Sequence, residues 1–424
     1  MTQVDTVIVG AGAAGLSAAQ TLEQSGLTTR ILEAKDRVGG RAFTDHKSFG
    51  VPFDHGCTWL SAGPYNPLLK VAEENGFRMQ ECNFPYISGK TRIFRDGRWA
   101  TEAELIERDQ FIAKCEDAIC EASKTGQDVA LDDLIDSESS WRSLFDRFSE
   151  ANQGSHPTAC SSLDYTSTEA DGPDLFMFDG YGSLIEKISN GLSVEFGAEV
   201  NRLDWRGEGV TVQSSKGEFS GRSAIITVST GVLASNHIEF DPALPERQRA
   251  AIESLPMGRL AKVAIQFDQN VYGDFLDDTF TYMEEPGLAI FFVTGMDNHR
   301  MAVAYFPGSL ADEIEAMSEE AACNFTLDRL ERVFGKTMRE HVVRSDCTRW
   351  GSDPHVRGSY ASALPGHAGA RAELAMTLGD RIIFAGEATS QAHFGFAHGA
   401  FLEGKAAAER IITLLNAVAE ARNR

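Results

Sequence analysis

The chain has 424 residues, a formal net charge of −23, and 42% hydrophobic and 24% charged residues. This length suits two domains with full cores, and no run of about eighteen apolar residues predicts a membrane-spanning helix. The acidic balance disfavours nucleic acid and anionic lipid as partners and favours cations, although excess acid is also a common device for solubility.

The cysteines and the N-terminal segment indicate the cellular compartment of the protein. Seven cysteines without C-x-x-C spacing predict reduced thiols and no metal site. The first strand-like segment begins at Asp5 with no basic leader ahead of it, so we expect a cytoplasmic protein. The sequence allows a homodimer and does not fix the oligomeric state.

A strand, a glycine-rich turn and a helix follow at once. Gly10, Gly12 and Gly15 form G-x-G-x-x-G, with Ala14 inside the pattern. Such glycines permit a tight turn, a close approach of the backbone to a pyrophosphate, and close packing of helix on strand. The next strand ends at Glu33, a position where a carboxylate accepts hydrogen bonds from ribose hydroxyls. The stretch predicts a dinucleotide site.

Two further motifs carry a family resemblance. "EAKDRVGGRAFT" places Lys35, Gly40 and Arg41 just past the acid, and "FAGEATS" contains Gly386 and Glu387. Together they resemble the flavin-containing amine oxidases, which include monoamine and polyamine oxidases, lysine-specific histone demethylases and L-amino-acid oxidases. The resemblance covers nearly the whole chain and is weakest over 80–178 and 268–344. It implies that the dinucleotide is FAD and that these five residues help to bind it.

The resemblance and the alternation of elements predict an α/β fold. We expect a Rossmann-type FAD-binding domain built from the discontinuous segments 1–80, 180–267 and 345–424. A second, mixed α+β domain formed by 81–179 and 268–344 would bind substrate. The stretch 101–150 carries fourteen acidic and five basic residues, mostly at helical spacing.

Two stretches resemble cofactor-contacting segments of the family. "FDHGCTWLSAG" matches the segment whose backbone meets the flavin, which implies contacts from Thr58 and Trp59. "GAEVNRLDW" matches the strand whose main chain contacts adenine, at Val200.

The closing motif "FAGEATSQAHFGFAHGAFLEG" implies contacts near the flavin ring. Glu387 would meet the ribityl chain, and Phe396 and Ala397 would begin the last helix. The N-terminus of that helix can stabilise negative charge on the N1–O2 side of the reduced flavin.

"TRWGSDPHVRGSYASALPG" supplies the aromatic wall. Trp350 and Tyr360 match family positions beside the isoalloxazine. Phe396 matches the second ring of the aromatic cage, where monoamine oxidases carry tyrosine and polyamine oxidases often carry a smaller residue. In covalent monoamine oxidases a cysteine precedes the tyrosine, whereas here Ser359 does. We therefore expect non-covalent FAD.

"PMGRLAKVAIQF" alternates as a strand, with Lys262 on the face opposite Ala261 and Val263. A lysine in a strand is usually solvated. The family instead has a lysine here that holds a water against flavin N5 and assists oxygen activation. The resemblance therefore implies a catalytic Lys262, together with Tyr360, Phe396 and Trp350.

The sequence predicts an FAD-dependent oxidase of cationic monoamines, polyamines or secondary and cyclic amines. Oxygen would reoxidise the flavin to give hydrogen peroxide, and the imine would hydrolyse. An L-amino-acid oxidase using Arg349 or Arg357, a flavin desaturase, and a non-catalytic FAD-binding scaffold stay open as alternatives.

Acid precipitation tests the mode of flavin attachment. Since Ser359 cannot form the thioether, we expect the yellow colour to appear in the supernatant when the purified protein is precipitated with acid. Colour that stays with the precipitate would contradict this expectation.

Overall fold

The computed structural model describes residues 2–61, 63, 65–81, 91–168, 172–275, 278–284, 287–295 and 300–422. The strands are β1 (Thr2–Val9), β2 (Thr29–Glu33), β3 (Thr44–Asp45), β4 (Phe53–Asp54), β5 (Trp59–Ser61), β6 (Met79–Glu81), β7 (Arg92–Arg95), β8 (Arg98–Trp99), β9 (Asp174–Met177), β10 (Val194–Phe196), β11 (Val200–Asp204), β12 (Val210–Ser214), β13 (Gly217–Ile226), β14 (Glu239–Asp241), β15 (Leu260–Phe267), β16 (Asp278–Tyr282), β17 (Ile290–Thr294), β18 (Met301–Pro307), β19 (Val342–Cys347) and β20 (Ile382–Phe384).

The helices pack on two large sheets. They are α1 (Ala13–Gln24), α2 (Pro67–Glu74), α3 (Glu102–Lys124), α4 (Arg142–Gln153), α5 (Ser162–Ser167), α6 (Tyr181–Ile188), α7 (Thr230–Ala234), α8 (Glu246–Glu253), α9 (Ser309–Ala316), α10 (Glu319–Phe334), α11 (Ala370–Leu374) and α12 (Ala397–Arg422). In the described ranges, no helix combines the length and the apolar character that crossing a bilayer requires.

The first sheet has the order β10-β2-β1-β13-β12-β11-β14, with β20 also paired to β13. The pairs β10–β2, β2–β1, β1–β13 and β13–β20 are parallel. Ile8 faces a core shared with α1, α6 and α12, whereas its neighbours Val7 and Val9 face a second core on the other side. Both faces are covered, as in doubly wound sheets, and the predicted α/β fold class is confirmed.

The second sheet has the order β19-β15-β18-β17-β16-β7-β8. Ala261, Val263, Ile265 and Phe267 of β15 face a core that includes residues of α9 and α10. Lys262 lies on the opposite face, as the alternation predicts, and is paired with Tyr305 of β18. That face packs against a core formed largely by α3 and α4.

The sheet pairings differ from the predicted domain boundaries. The predicted FAD-binding domain includes β15 and residues 345–347 of β19, but both strands pair within the second sheet. An alternating pattern identifies a strand without identifying its partners. A small sheet also joins the predicted domains, since β9 pairs with both β5 and β6. Lys262 therefore belongs to the second sheet, whereas the glycine-rich turn follows β1 of the first sheet.

The backbones of helices α1 and α12 lie in close contact at Gly404. A Cβ on Gly404 would lie 2.0 Å from the Ala14 carbonyl oxygen and 2.7 Å from its Cα. Gly→Ala inside a helix ordinarily adds about 1 kcal/mol of stability. We expect Gly404→Ala to lower the free energy of unfolding by about 1–3 kcal/mol because the backbones must separate.

Urea unfolding of the purified protein measures this effect. Gly207→Ala is the control, because no atom lies within 4 Å of a Cβ at that exposed position. An increase in stability for Gly404→Ala would refute the close helix contact.

Candidate cofactor and active site

The glycine-rich turn has the geometry of a phosphate cradle. Gly10 has φ +107°, and a Cβ on Gly15 would lie 2.0 Å from the Gly10 carbonyl oxygen. A Cβ on Gly12, by contrast, meets no atom within 4 Å, so the turn is open where a ligand would approach. Gly12 is the residue before α1, and the first N–H groups of a helix have no partner within it, so they are available to an anion. Ala14 is buried, and its carbonyl faces Gly404 of α12.

Glu33 lies at the carboxyl end of β2, beside the turn. Its carboxylate oxygens accept hydrogen bonds from the backbone N–H groups of Ala11 (2.8 Å) and Lys35 (2.9 Å). The Glu33 carbonyl accepts a bond from the N–H of Ala198, two residues before Val200. Glu33 and Val200, the two residues predicted at the adenosine end, thus lie on segments that a backbone hydrogen bond joins.

The segment after β2 folds over the turn. Gly12 and Gly39 form a parallel bridge, and a Cβ on Gly40 would lie 3.5 Å from the Gly12 Cα. The Lys35 ammonium is turned elsewhere: it pairs with Asp353 and lies 5.5 Å from the centre of the Trp350 ring. Gly40 is therefore placed at the predicted phosphate site, whereas the charge of Lys35 is neutralised beside it.

Glu387 connects three chain segments. Its Oε1 accepts bonds from Arg41 Nη1 (2.9 Å) and the N–H of Ala361 (3.2 Å), and its Oε2 accepts one from the N–H of Gly395 (3.1 Å). Arg41 also donates to the carbonyl of Ser359 at 2.6 Å. Glu387 is 4% exposed. The closing motif and the Tyr360 loop are thus fixed to the segment that covers the phosphate turn.

A cleft lies at the carboxyl ends of β13 and β20, and its lining residues can be compared with the groups that FAD carries. Arg41, Thr227, Thr230, Gly386 and Glu387 are among its lining residues. The Thr230 hydroxyl is buried and has no hydrogen-bond partner among the described residues. An unsatisfied hydroxyl beside an arginine and a glutamate suits a ligand with phosphate and hydroxyl groups. The residues present fit the cofactor.

Lys262 reaches from β15 into the segment between β4 and β5. Its Nζ donates to the carbonyls of Asp54 (2.8 Å) and Gly56 (2.6 Å) and to Thr58 Oγ1 (2.7 Å). It also lies 5.1 Å from the centre of the Tyr305 ring. The three N–H groups of an ammonium are thereby directed at protein oxygens, and Lys262 is 3% exposed.

Burial lowers the pKa of Lys262 to about 8, and the negative charge of Asp54 opposes this shift. The Asp54 carboxylate accepts bonds from Thr44 Oγ1 (2.5 Å) and from the N–H of Tyr181 (3.0 Å) at the start of α6. Burial raises the pKa of Asp54 in turn. Sequence reasoning missed Asp54 as a partner of Lys262 because 208 positions separate them, although it lies inside the quoted flavin segment.

The aromatic candidates form two groups. Trp59 lies at the start of β5, and its ring centre is 5.5 Å from that of Tyr305. Trp350 donates from Nε1 to the carbonyl of His55 at 2.9 Å, so it packs behind the same segment.

Tyr360 and Phe396 lie on adjoining loops. The Tyr360 hydroxyl donates to the carbonyl of Ala151 in α4, and its ring lies 3.8 Å from a Cβ built on Gly395, the residue before Phe396. Phe396 is half-buried and precedes Ala397, the first residue of α12. Burial raises the pKa of Tyr360, which keeps the phenol neutral.

The lowered pKa of Lys262 predicts a pH dependence of stability. Between about pH 8 and the ordinary lysine value of 10.5, the unfolded chain holds a proton at this position that the folded chain has released. The free energy of unfolding therefore rises with pH across this window, by about 3 kcal/mol. Urea unfolding of the native chain and of Lys262→Met isolates this contribution as their difference, and a difference that stays constant from pH 8 to 10.5 would contradict it.

Comparison with known proteins gives the family. A family model described as flavin containing amine oxidoreductase matches residues 13–412. Polyamine oxidase 2 of Arabidopsis thaliana is 30% identical over 95% of this chain and 87% of its own length. Lysine-specific histone demethylase 1 homolog 2 of the same organism is 28% identical over 98% of this chain and 59% of its own length.

Two solved structures share the fold. A wild-type putrescine oxidase bound to putrescine superposes with a TM-score of 0.81 at 24% identity, over 97% of this chain and 99% of that one. A cyclohexylamine oxidase from Brevibacterium oxydans gives a TM-score of 0.80 at 23% identity, with the same coverage. Because the family model extends over nearly the whole chain, the protein belongs to the flavin-containing amine oxidoreductases and is an enzyme of the amine oxidase type that acts on CH–NH groups.

Proposed function

We propose that this enzyme oxidises cationic amines with non-covalently bound FAD and oxygen. The amine carbon loses a hydride and the nitrogen loses a proton, oxygen becomes hydrogen peroxide, and water hydrolyses the imine. When bound, FAD would supply the hydride acceptor, its N5 atom, and the route by which the electrons reach oxygen. The observation that carries the proposal is the buried Lys262 ammonium, which is bound to the segment that runs from Asp54 to Thr58.

The division into an FAD-binding and a substrate-binding domain is part of this proposal. The nucleotide-binding turn belongs to the first sheet and Lys262 to the second, so the reacting groups would meet between the two sheets.

Lys262 would act through its charge. Its three N–H groups point at protein oxygens, so a water within reach would have to share a hydrogen with one of them. A fixed positive charge in a water-poor site favours the transfer of negative charge to oxygen nearby. Since its pKa is about 8, the ammonium form dominates at neutral pH.

Tyr360 and Phe396 would orient the amine by shape. Tyr360 is neutral and its hydroxyl is already donated to Ala151, so its ring face is what it offers a substrate. Ring faces attract an amine cation weakly without competing as nucleophiles. Ala151 also lies in the last turn of α4, whose partial negative charge favours a cation nearby.

The mode of FAD attachment follows from Ser359. Its side chain is buried and its carbonyl accepts from Arg41, while its hydroxyl has no partner among the described residues. A serine in this place cannot form a thioether, which supports non-covalent FAD.

The substrate class follows from charge. The net charge of −23 favours cationic amines, and putrescine oxidase and cyclohexylamine oxidase among the structural neighbours suggest diamines and cyclic amines. Arg349, one candidate for holding an amino-acid carboxylate, donates instead to the carbonyls of Glu315 and Met317. Arg357 donates to the carbonyl of Pro354. Because both arginines donate to backbone carbonyls, their contacts do not support an L-amino-acid oxidase.

We also infer a cytoplasmic enzyme. The six cysteines in the described part of the chain are free thiols, which suits a reducing compartment. The homodimer stays a prediction that size measurement of the holoenzyme would test.

Anaerobic bleaching of the flavin tests the proposed substrate class. We expect diamines, polyamines or cyclic amines to bleach the flavin, and subsequent air to release peroxide, whereas amino acids leave it yellow. Bleaching by amino acids alone would favour the L-amino-acid oxidase, and bleaching by none of the panel would exclude the proposed reaction.

Lys262→Met separates the two half-reactions. We expect reoxidation by oxygen to slow about a hundredfold, with a much smaller effect on anaerobic reduction by amine. Stopped-flow absorbance of the flavin measures both rates. Lys405→Met, which removes an exposed lysine that pairs with Glu409 in α12, is the control. Equal slowing of both steps would argue against the assigned role.

A further inference from the structure

A buried ion pair lies behind the flavin-facing loops and takes no part in the chemistry proposed above. Arg371 lies in α11 and Asp164 in α5, and their side chains are 1% and 2% exposed. Arg371 Nε and Nη2 donate to the two carboxylate oxygens at 2.7 and 2.8 Å. This parallel, two-bond arrangement fixes the plane of the guanidinium.

The other contacts of the guanidinium are made with the loops that carry Tyr360 and Phe396. Arg371 Nη2 also donates to the carbonyl of Ala361 at 2.9 Å, and Nη1 donates to the carbonyl of Ala388 at 3.3 Å. Ala361 follows Tyr360, and Ala388 follows Glu387. The Arg371 guanidinium also lies 3.7 Å from the centre of the Phe394 ring.

Phe394 stands two residues before Phe396. One planar cation therefore contacts the loop of Tyr360, the turn that contains Glu387 and the approach to Phe396. These are the segments that the proposed function places around the flavin.

Asp164 ties the same loop to the inserted segment. Its Oδ2 accepts a bond from the N–H of Ala363 at 2.9 Å, and the N–H of Ser161 donates to the Ala363 carbonyl at 3.0 Å. Glu387 accepts a hydrogen bond from the N–H of Ala361, and Arg371 donates one to the carbonyl of the same residue. The Ala361 peptide groups are thus fixed from both sides by charged side chains.

Stability alone does not account for such a pair. A buried ion pair often stabilises a fold no more than apolar side chains of similar volume do. What apolar side chains cannot do is donate to backbone carbonyls in two different loops. A lysine cannot replace the arginine either, because it lacks the planar set of donors.

We propose that Arg371, oriented by Asp164, is a positioning residue that sets the spacing between the Tyr360 loop and the Phe396 loop. This inference rests on the proposed function, because it is the flavin that those loops would flank. Arg371 touches neither cofactor nor substrate in this role. It acts through Ala361, Ala388 and Phe394.

Hydrogen–deuterium exchange of the FAD-loaded enzyme tests the positioning role without using activity. R371M/D164L removes both charges, so that no unpaired charge stays buried. We expect backbone exchange in peptides covering 359–363 and 387–396 to be about tenfold faster than in the native enzyme, with the peptide covering 260–267 unchanged. R108M is the control, since the buried Arg108 contacts Thr91 and Asp109 in another part of the fold.

Anaerobic bleaching by the best amine gives the second measurement. We expect the rate in R371M/D164L to fall by about 10- to 100-fold, the loss associated with misplacement of reacting groups by about 1 Å, with KM changed far less. R371K should fall between the native enzyme and the double variant. Native behaviour of R371K would overturn the claim that the planar guanidinium sets the spacing.

Two further outcomes would overturn the inference. One is unchanged exchange in both loop peptides of R371M/D164L, and the other is its global unfolding, which would make the pair a general stabilising element. If the native enzyme is bleached by no amine, the proposed function fails. The exchange comparison still decides whether Arg371 fixes the two loops.

Discussion

The ammonium of Lys262 is the contact on which the site depends. It is carried by a strand of the second sheet, and its hydrogen bonds end on three residues of the segment that leads from the phosphate turn to Trp59. Separating the two sheets here would break three charge-assisted hydrogen bonds of a buried ammonium, which costs free energy because the charge would lose its partners. The same contact fixes the positive charge that the proposed reaction with oxygen uses.

Charged side chains help to hold the loops that carry Tyr360, Glu387 and Phe396. Glu387 binds the side chain of Arg41 and two backbone N–H groups, and Arg371 binds Asp164 and two backbone carbonyls. Loops expose polar backbone groups that apolar neighbours cannot satisfy. A buried charge with several donors or acceptors satisfies them and also fixes their positions.

The charge distribution suits a cationic substrate and an anionic cofactor. The chain as a whole is strongly acidic, while Lys262 brings an ammonium into its interior and Arg41, paired with Glu387, lines the cleft proposed for the pyrophosphate-bearing cofactor. The acidic exterior attracts cationic amines, and the range of this attraction falls as the salt concentration rises. In the proposed reaction the neutral rings of Tyr360 and Phe396 would then meet the amine where little water competes.

The sequence by itself determined the fold class and the glycine-rich turn, because glycine spacing and strand periodicity are local properties that chain neighbours impose. It indicated the family through the resemblance of several quoted motifs, which the family model confirms. It also placed Lys262 on the strand face opposite Ala261 and Val263, since side chains alternate along a strand. Only the tertiary structure decided that this strand belongs to the second sheet, and that Asp54, Asp164 and Arg371 support the site. Those contacts join residues more than 200 positions apart, and no local pattern records which distant segments meet, because pairing is chosen by the packing of the whole chain.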